Sequence, residues 1–276
     1  MAIDIEMLWD YNNPDLSEEC FRSAMLNAAP EDQLILQTQI ARTYGLRGNF
    51  DQTRTILDSI AKDLPVASAE TQARYYLEMG RSFSSGTHNL ASQTNDAREK
   101  ARAAFLHAFE IAKNEDLDAL AIDALHMMTF VDTDPIHQVD WNQKAIELMQ
   151  SSTQPDAKKW AGSLHNNMGY ALHTAGKYEE ALEEFQLALI ARIKQENQVN
   201  IRIAHWMVAW TLHALGRLEE AVTIQRRLEQ EWDADGEPDP YVFEELEKLY
   251  RELGKSQQAD HYANRLRSIQ QATKGN

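Results

Sequence analysis

The stretch LHTAGKYEEALEEF, Leu172–Phe185, returns forty residues later as LHALGRLEEAVTIQ, Leu212–Gln225. The two copies share L-H-x-x-G-[KR]-x-E-E-A and differ mostly where only solvent would notice. Counting from the glycine shows what is repeated. Offsets of two, five, nine and twelve from Gly176 give Tyr178, Ala181, Phe185 and Ala188, and the same offsets from Gly216 give Leu218, Ala221, Gln225 and Leu228. Gly254 heads Ser256, Ala259, Ala263 and Leu266; Gly48 heads Phe50, Thr53, Leu57 and Ile60. Two further segments keep part of the series, Ala101 with Phe105 and Ala108, and Ala145 with Met149. Self-similarity at such a period is the signature of a repeat architecture.

Each unit explains its own spacing. Before Gly176, the residues Leu164, Met168, Ala171 and Leu172 lie three and four apart, the apolar stripe of an amphipathic helix. After it, Tyr178, Ala181, Leu182, Phe185, Ala188 and Leu189 form a second stripe. A glycine between them supplies the positive φ that ends the first helix, and so short a connection returns the second helix antiparallel. Ala181 is small because two helix backbones approach there, and Phe185 is large because it fills the gap one turn on. A single hairpin cannot bury its apolar face alone, so neighbours must stack.

Composition narrows the class. Only 11 Gly and 7 Pro in 276 residues are too few for an all-β chain, so helix is favoured. A net charge of −16 repels phosphate backbones and anionic lipid, which argues against nucleic acid and membrane as partners. The N-terminal MAIDIEMLWDYNNPD lacks the basic flank and apolar run of a signal peptide, so a cytoplasmic protein is expected. Cys20 is a lone cysteine, which excludes an intramolecular disulfide framework.

The segment Asn167–Leu189, NMGYALHTAGKYEEALEEFQLAL, resembles the tetratricopeptide repeat, with Pro65 standing where that family places its helix-ending proline. The resemblance implies an all-α, right-handed superhelical solenoid of antiparallel helical hairpins. One continuous solenoid over 1–276 is expected, with a capping helix within 1–30 and hairpins at 34–65, 73–113, 116–152, 162–195, 202–232 and 240–271. The polar run Ser84–Asn95 reads as an insertion inside the second hairpin, mobile by composition.

The resemblance also implies a ligand face, lined by the first helix of each hairpin. Residues ten, six and three before the glycines then form columns that contain Arg42, Asn166, Tyr170, His173, Trp206, Trp210, His213, Lys248 and Arg251, joined by Arg81 when Gly80 is aligned with Gly169. These ten residues are the candidate peptide-binding groove. The expected partner is a protein or peptide carrying acidic and aromatic groups, with His173 and His213 favouring acidic ligands as pH falls. No nucleophile elbow, phosphate-binding glycine loop or metal-binding helix motif occurs, so catalysis, cofactor and metal are not expected. The pairs His165/His173 and His205/His213 stand eight residues apart, too far around a helix to share one metal easily. The alternative is a homo-oligomeric scaffold assembled through the same surfaces. An enzyme, or a peptide-sensing transcription regulator, ranks lower for want of any catalytic or DNA-binding segment.

Overall fold

A computed structural model describes residues 3–274, so the ends of the expected 1–30 cap and 1–276 solenoid, residues 1, 2, 275 and 276, lie outside the described residues. Every regular element among the described residues is helical. The chain separates into two compact units, one up to Trp160 and one from Ala161. The first unit holds α1 (Pro14–Met25), then the hairpins α2 (Pro30–Leu46) with α3 (Phe50–Ile60), α4 (Ala69–Arg81) with α5 (Asn95–Asn114), and α6 (Asp118–Val131) with α7 (Pro135–Ser151). It closes with the short α8 (Pro155–Lys158). The second unit pairs α9 (Ala161–Thr174) with α10 (Tyr178–Lys194), α11 (Gln198–Ala214) with α12 (Leu218–Ala234), and α13 (Pro240–Glu252) with α14 (Ser256–Lys274).

The four glycines that head the repeated series share one backbone conformation, with φ between 70° and 77° at Gly48, Gly176, Gly216 and Gly254. A Cβ at any of them meets nothing within 4 Å, so glycine is required there by conformation and not by space. Each sits in the same capping motif: the next residue donates its N–H back five residues, as in Lys177 to Leu172 O and Arg217 to Leu212 O, both 2.9 Å. Two glycines inside helices have the opposite reason. A Cβ on Gly169 would stand 2.8 Å from the Phe185 ring, and one on Gly80 would stand 2.4 Å from the Phe105 ring. The aromatic of the second helix therefore lies against bare backbone of the first, and the alignment of Gly80 with Gly169 has a packing basis.

The next hairpin reverses the exchange. Ala209 takes the place of Gly169 and Gln225 the place of Phe185, and both are fully buried. Neither Oε1 nor Nε2 of Gln225 finds a partner among the described residues. A buried polar group left unsatisfied costs about 1–3 kcal/mol. Gln225→Leu is accordingly expected to raise the unfolding free energy by about 1 kcal/mol, read as a shift of the denaturant midpoint at unchanged slope. An unchanged or lowered midpoint would show that the amide is satisfied in solution.

The first part of the Ser84–Asn95 insertion, residues 84–88, is tied to the helices despite its composition. Ser84 is buried and its Oγ donates to Phe130 O at 3.2 Å, Thr87 Oγ1 donates to Gly45 O at 3.3 Å, and the His88 ring stacks on Phe50 with centroids 3.7 Å apart. Polar residues signal a loop, but here two of their hydroxyls bind backbone carbonyls near the ends of α2 and α6.

Candidate ligand-binding surfaces

In the second unit α11 is apolar on two sides. Ala204, Val208 and Leu212 are buried in the hairpin packing. Val199, Ile203, Trp206 and Trp210, spaced four, three and four residues apart, share another face. Val199 is 50% exposed and Ile203 48% exposed. Trp210 is the centre of a ring ladder: His173 stacks on it with centroids 3.4 Å apart, Trp206 lies at 5.9 Å and Tyr170 at 6.0 Å, all within 23° of parallel. The structure thus gathers Tyr170, His173, Trp206 and Trp210 from α9 and α11 onto one surface. Asn166 sits half-buried on α9, one turn before Tyr170.

Beyond Trp206 the ladder opens into an apolar depression of about 420 Å³ lined by Val199, Ile203, Trp206, Trp232 and Tyr241. Arg202 forms part of its wall, stacked over Trp232 at 4.5 Å and tied to Asp235 at 2.6 Å. Two polar atoms of the ladder, Trp206 Nε1 and His173 Nε2, are buried without a partner among the described residues. Burial pushes the His173 imidazole below its ordinary value, so this ring stays neutral at physiological pH.

Each basic residue of the expected groove meets a carboxylate of the chain itself. Lys248 pairs with Glu244 and Arg251 with Glu247, both at 2.7 Å on the exposed side of α13. His213 is clamped, with Nδ1 2.6 Å from Glu245 and Nε2 3.0 Å from Glu252. Burial alone would lower its pKa, but the hydrogen bonds its ring donates to Glu245 and Glu252 outweigh burial and hold it above the ordinary histidine value. A raised folded-state pKa stabilises fully below the unfolded value near 6.5 and loses that stabilisation as pH climbs through the folded value. His213 is therefore expected to contribute stability that is lost as pH rises from about 6 to 8, opposed by the lowered His173 and His205. His213→Leu should make stability fall less, or rise more, across this range in thermal unfolding. A pH dependence unchanged by the substitution would show that His213 does not contribute. Neither histidine fits the expectation that protonation draws in acidic ligands, since one stays neutral and the other is already held by two glutamates.

Arg42 and Arg81 belong to the first unit. Arg81 donates to Glu78 and to Asp123, whose side chains are nearly fully buried. Burial would raise the Asp123 carboxyl; Arg81 and Arg42 overcome it and hold the group below the usual carboxylate value. Arg42 stands 3.5 Å from Glu78 and 3.8 Å from Asp123. The four charges form the floor of a cavity of about 210 Å³, walled by Met127, Phe130 and Trp160. His126 on the same wall is driven down to about 4 by burial.

Val199, Ile203, Trp232 and Tyr241 are surface members that the glycine-anchored columns do not reach. The signal for the first two is present in the sequence, because they extend the Trp206/Trp210 pair backwards at the same three-and-four spacing. Among the described residues no group of three or more His, Cys, Asp or Glu is placed to hold a metal ion, and no helix is long and apolar enough to cross a membrane.

Stacked two-helix hairpins with glycine caps define an all-α, tetratricopeptide-like helical-repeat fold, with an aromatic strip on α9 and α11. Residues 160–229 match the family model of the tetratricopeptide repeat. No curated protein matches the sequence. Among solved structures, the apo form of RapI resembles the chain with a TM-score of 0.72 at 11% identity, over 96% of this chain and 73% of its own. The signal transduction ATPase with numerous domains from Pyrococcus horikoshii, which carries a tetratricopeptide repeat sensor, gives a TM-score of 0.67 at 12% identity over 93% of this chain. The chain spans 39% of that protein's length. A Rap protein complexed with competence and sporulation factor gives 0.56 at 12% identity, covering 95% of this chain and 73% of its own. At these identities the likeness defines the fold.

Proposed function

We propose that the chain is a non-catalytic, cytoplasmic protein- or peptide-binding module and that the concave face of its second unit, the α9/α11 ladder with the adjoining depression, is the binding surface. The observation that carries this reading is the second apolar face of α11. Four apolar side chains at helical spacing, two of them half exposed, stand beside a ring stack, and large exposed apolar surface in a soluble domain marks an interaction site. Tyr and Trp give contact area at low entropic cost, which suits them to anchor a ligand. The Rap protein complexed with competence and sporulation factor lends support, as a protein of this fold that holds a bound factor.

The ligand favoured by these residues is apolar and aromatic. The acidic groups expected from the sequence gain little here, because Lys248, Arg251 and His213 are engaged with glutamates. Selection of a displayed peptide library on the protein tests the proposal. Enriched peptides should carry aromatic or aliphatic anchors and should be lost on a Trp206→Ala/Trp210→Ala variant that keeps its helical circular dichroism. Enrichment that survives the double substitution would place binding elsewhere. Self-assembly through the same strip makes a different forecast, a mass that falls on dilution in light scattering; a monomer throughout the micromolar range removes it.

A further inference from the structure

The cavity of the first unit contains a guanidinium with donors to spare. Arg42 lies on its wall, yet its contacts with Glu78 and Asp123, at 3.5 and 3.8 Å, are ion pairs without hydrogen bonds, and its Nε is buried with no partner among the described residues. Arg81 takes the hydrogen-bonding role with both carboxylates. Arg42 is held by ring faces: Trp9 and Tyr11, stacked on each other at 4.6 Å, each place their ring centroid 5.8 Å from its carbon. Trp9 is itself fixed by donating Nε1–H to Gln39 at 3.1 Å. Cation–π contact steadies a guanidinium without consuming its five N–H groups. The group is therefore positioned, with Nε closed off and its Nη groups, which make ion pairs but no hydrogen bonds, left as donors on the cavity lining.

The charge of the floor decides which acceptor. Arg42 and Arg81 face Glu78 and Asp123, two positive against two negative, and His126 is buried beside them. An incoming carboxylate or phosphate would bring a third anionic group up to two carboxylates already in place, and like charges at that range oppose each other strongly in a poorly solvated site. An uncharged acceptor meets no such opposition. The walls decide the rest: Met127, Phe130 and Trp160 suit a ring or branched chain, and about 210 Å³ admits one such group.

We propose that this cavity is a second binding site, separate from the α11 strip, for a neutral carbonyl acceptor attached to an aromatic or aliphatic group, with Arg42 as the donor. Two sources share that chemistry, a free small amide and a residue of a bound peptide with its backbone carbonyl. Phenylacetamide, phenylacetate and N-acetyl-phenylalanine amide serve as probes, each titrated into the full chain while the indole N–H resonance of Trp160 is followed. Phenylacetamide is expected to shift that resonance saturably, and phenylacetate to bind at least tenfold more weakly. If N-acetyl-phenylalanine amide binds more tightly than phenylacetamide, the source is a peptide; if more weakly, a small molecule; either ranking upholds the site. Arg42→Lys, which keeps the charge and loses Nε and the planar fork, should weaken phenylacetamide by about tenfold. Trp210→Ala should leave it unchanged, so failure here and failure of the strip proposal are separately visible. Absence of a saturable shift, or phenylacetate binding as tightly as the amide, would overturn the proposal on the unmodified chain, whatever the variant does to folding.

Discussion

Arg81→Met is expected to lower the unfolding free energy by about 3 kcal/mol, within the range of roughly 3–5 found when one partner of a buried ion pair is removed. The reason is what it leaves behind. Glu78 and Asp123 are 2% and 5% exposed, and both take their hydrogen bonds from this one guanidinium. Arg42 remains nearby but at ion-pair distance, which places the effect at the lower end of the range. The loss should come from stranded charge and not from absent contacts. Arg81→Met combined with Glu78→Gln should then recover much of the stability, because Arg42 is left against Asp123 alone, one positive charge against one negative. Urea unfolding of the single and double variants checks this; a double variant as unstable as the single would show that packing of the arginine stem, not charge, is the stabilising term.

Trp210→Ala is expected to weaken binding of a library-selected peptide by about 2 kcal/mol or more, roughly thirtyfold in Kd. Its ring holds His173, Trp206 and Tyr170 in one stack, so truncation removes the central contact and frees the remaining three to reorient. A proper control lies on the second helix of the preceding hairpin. Glu183 is exposed on α10, whereas its neighbour Glu184 is 2.7 Å from His165 Nδ1 and would disturb the fold if removed. Glu183→Ala should leave affinity unchanged. Equal affinities for the Trp210 and Glu183 variants, both folded, would exclude the ladder as an anchor.

The hairpins were legible because their causes are local. A glycine forced to positive φ, an alanine at a close approach and a phenylalanine one turn later each impose a residue type at a fixed offset, and Gly176, Ala181 and Phe185 carry all three. The aromatic ladder was legible for the same reason, since Trp206 and Trp210 share a helix face by spacing alone. The charge pairing was not. That Arg81 reaches Asp123, forty-two residues away, or that His213 reaches Glu245 depends on which helices become neighbours, and one sequence does not distinguish an arginine awaiting a ligand from one already satisfied. The anchoring of residues 84–88 escaped for the converse reason: serines and threonines mark loops by type, while their anchorage depends on carbonyls near distant helix ends.

Indole N–H resonances give the most direct test of the binding surface. Trp206, Trp210 and Trp232 line the ladder and its depression. Trp9 and Trp141 serve as internal references, their indole N–H groups already donated to Gln39 and Asp132 at 3.1 and 2.7 Å. On addition of a library-selected peptide, the Trp206, Trp210 and Trp232 signals should shift with one saturation curve, because the peptide changes the surroundings of all three rings. Trp9 and Trp141 should hold still. Saturable binding that leaves Trp206 and Trp210 unmoved would contradict the assignment of α11 as the ligand-bearing helix.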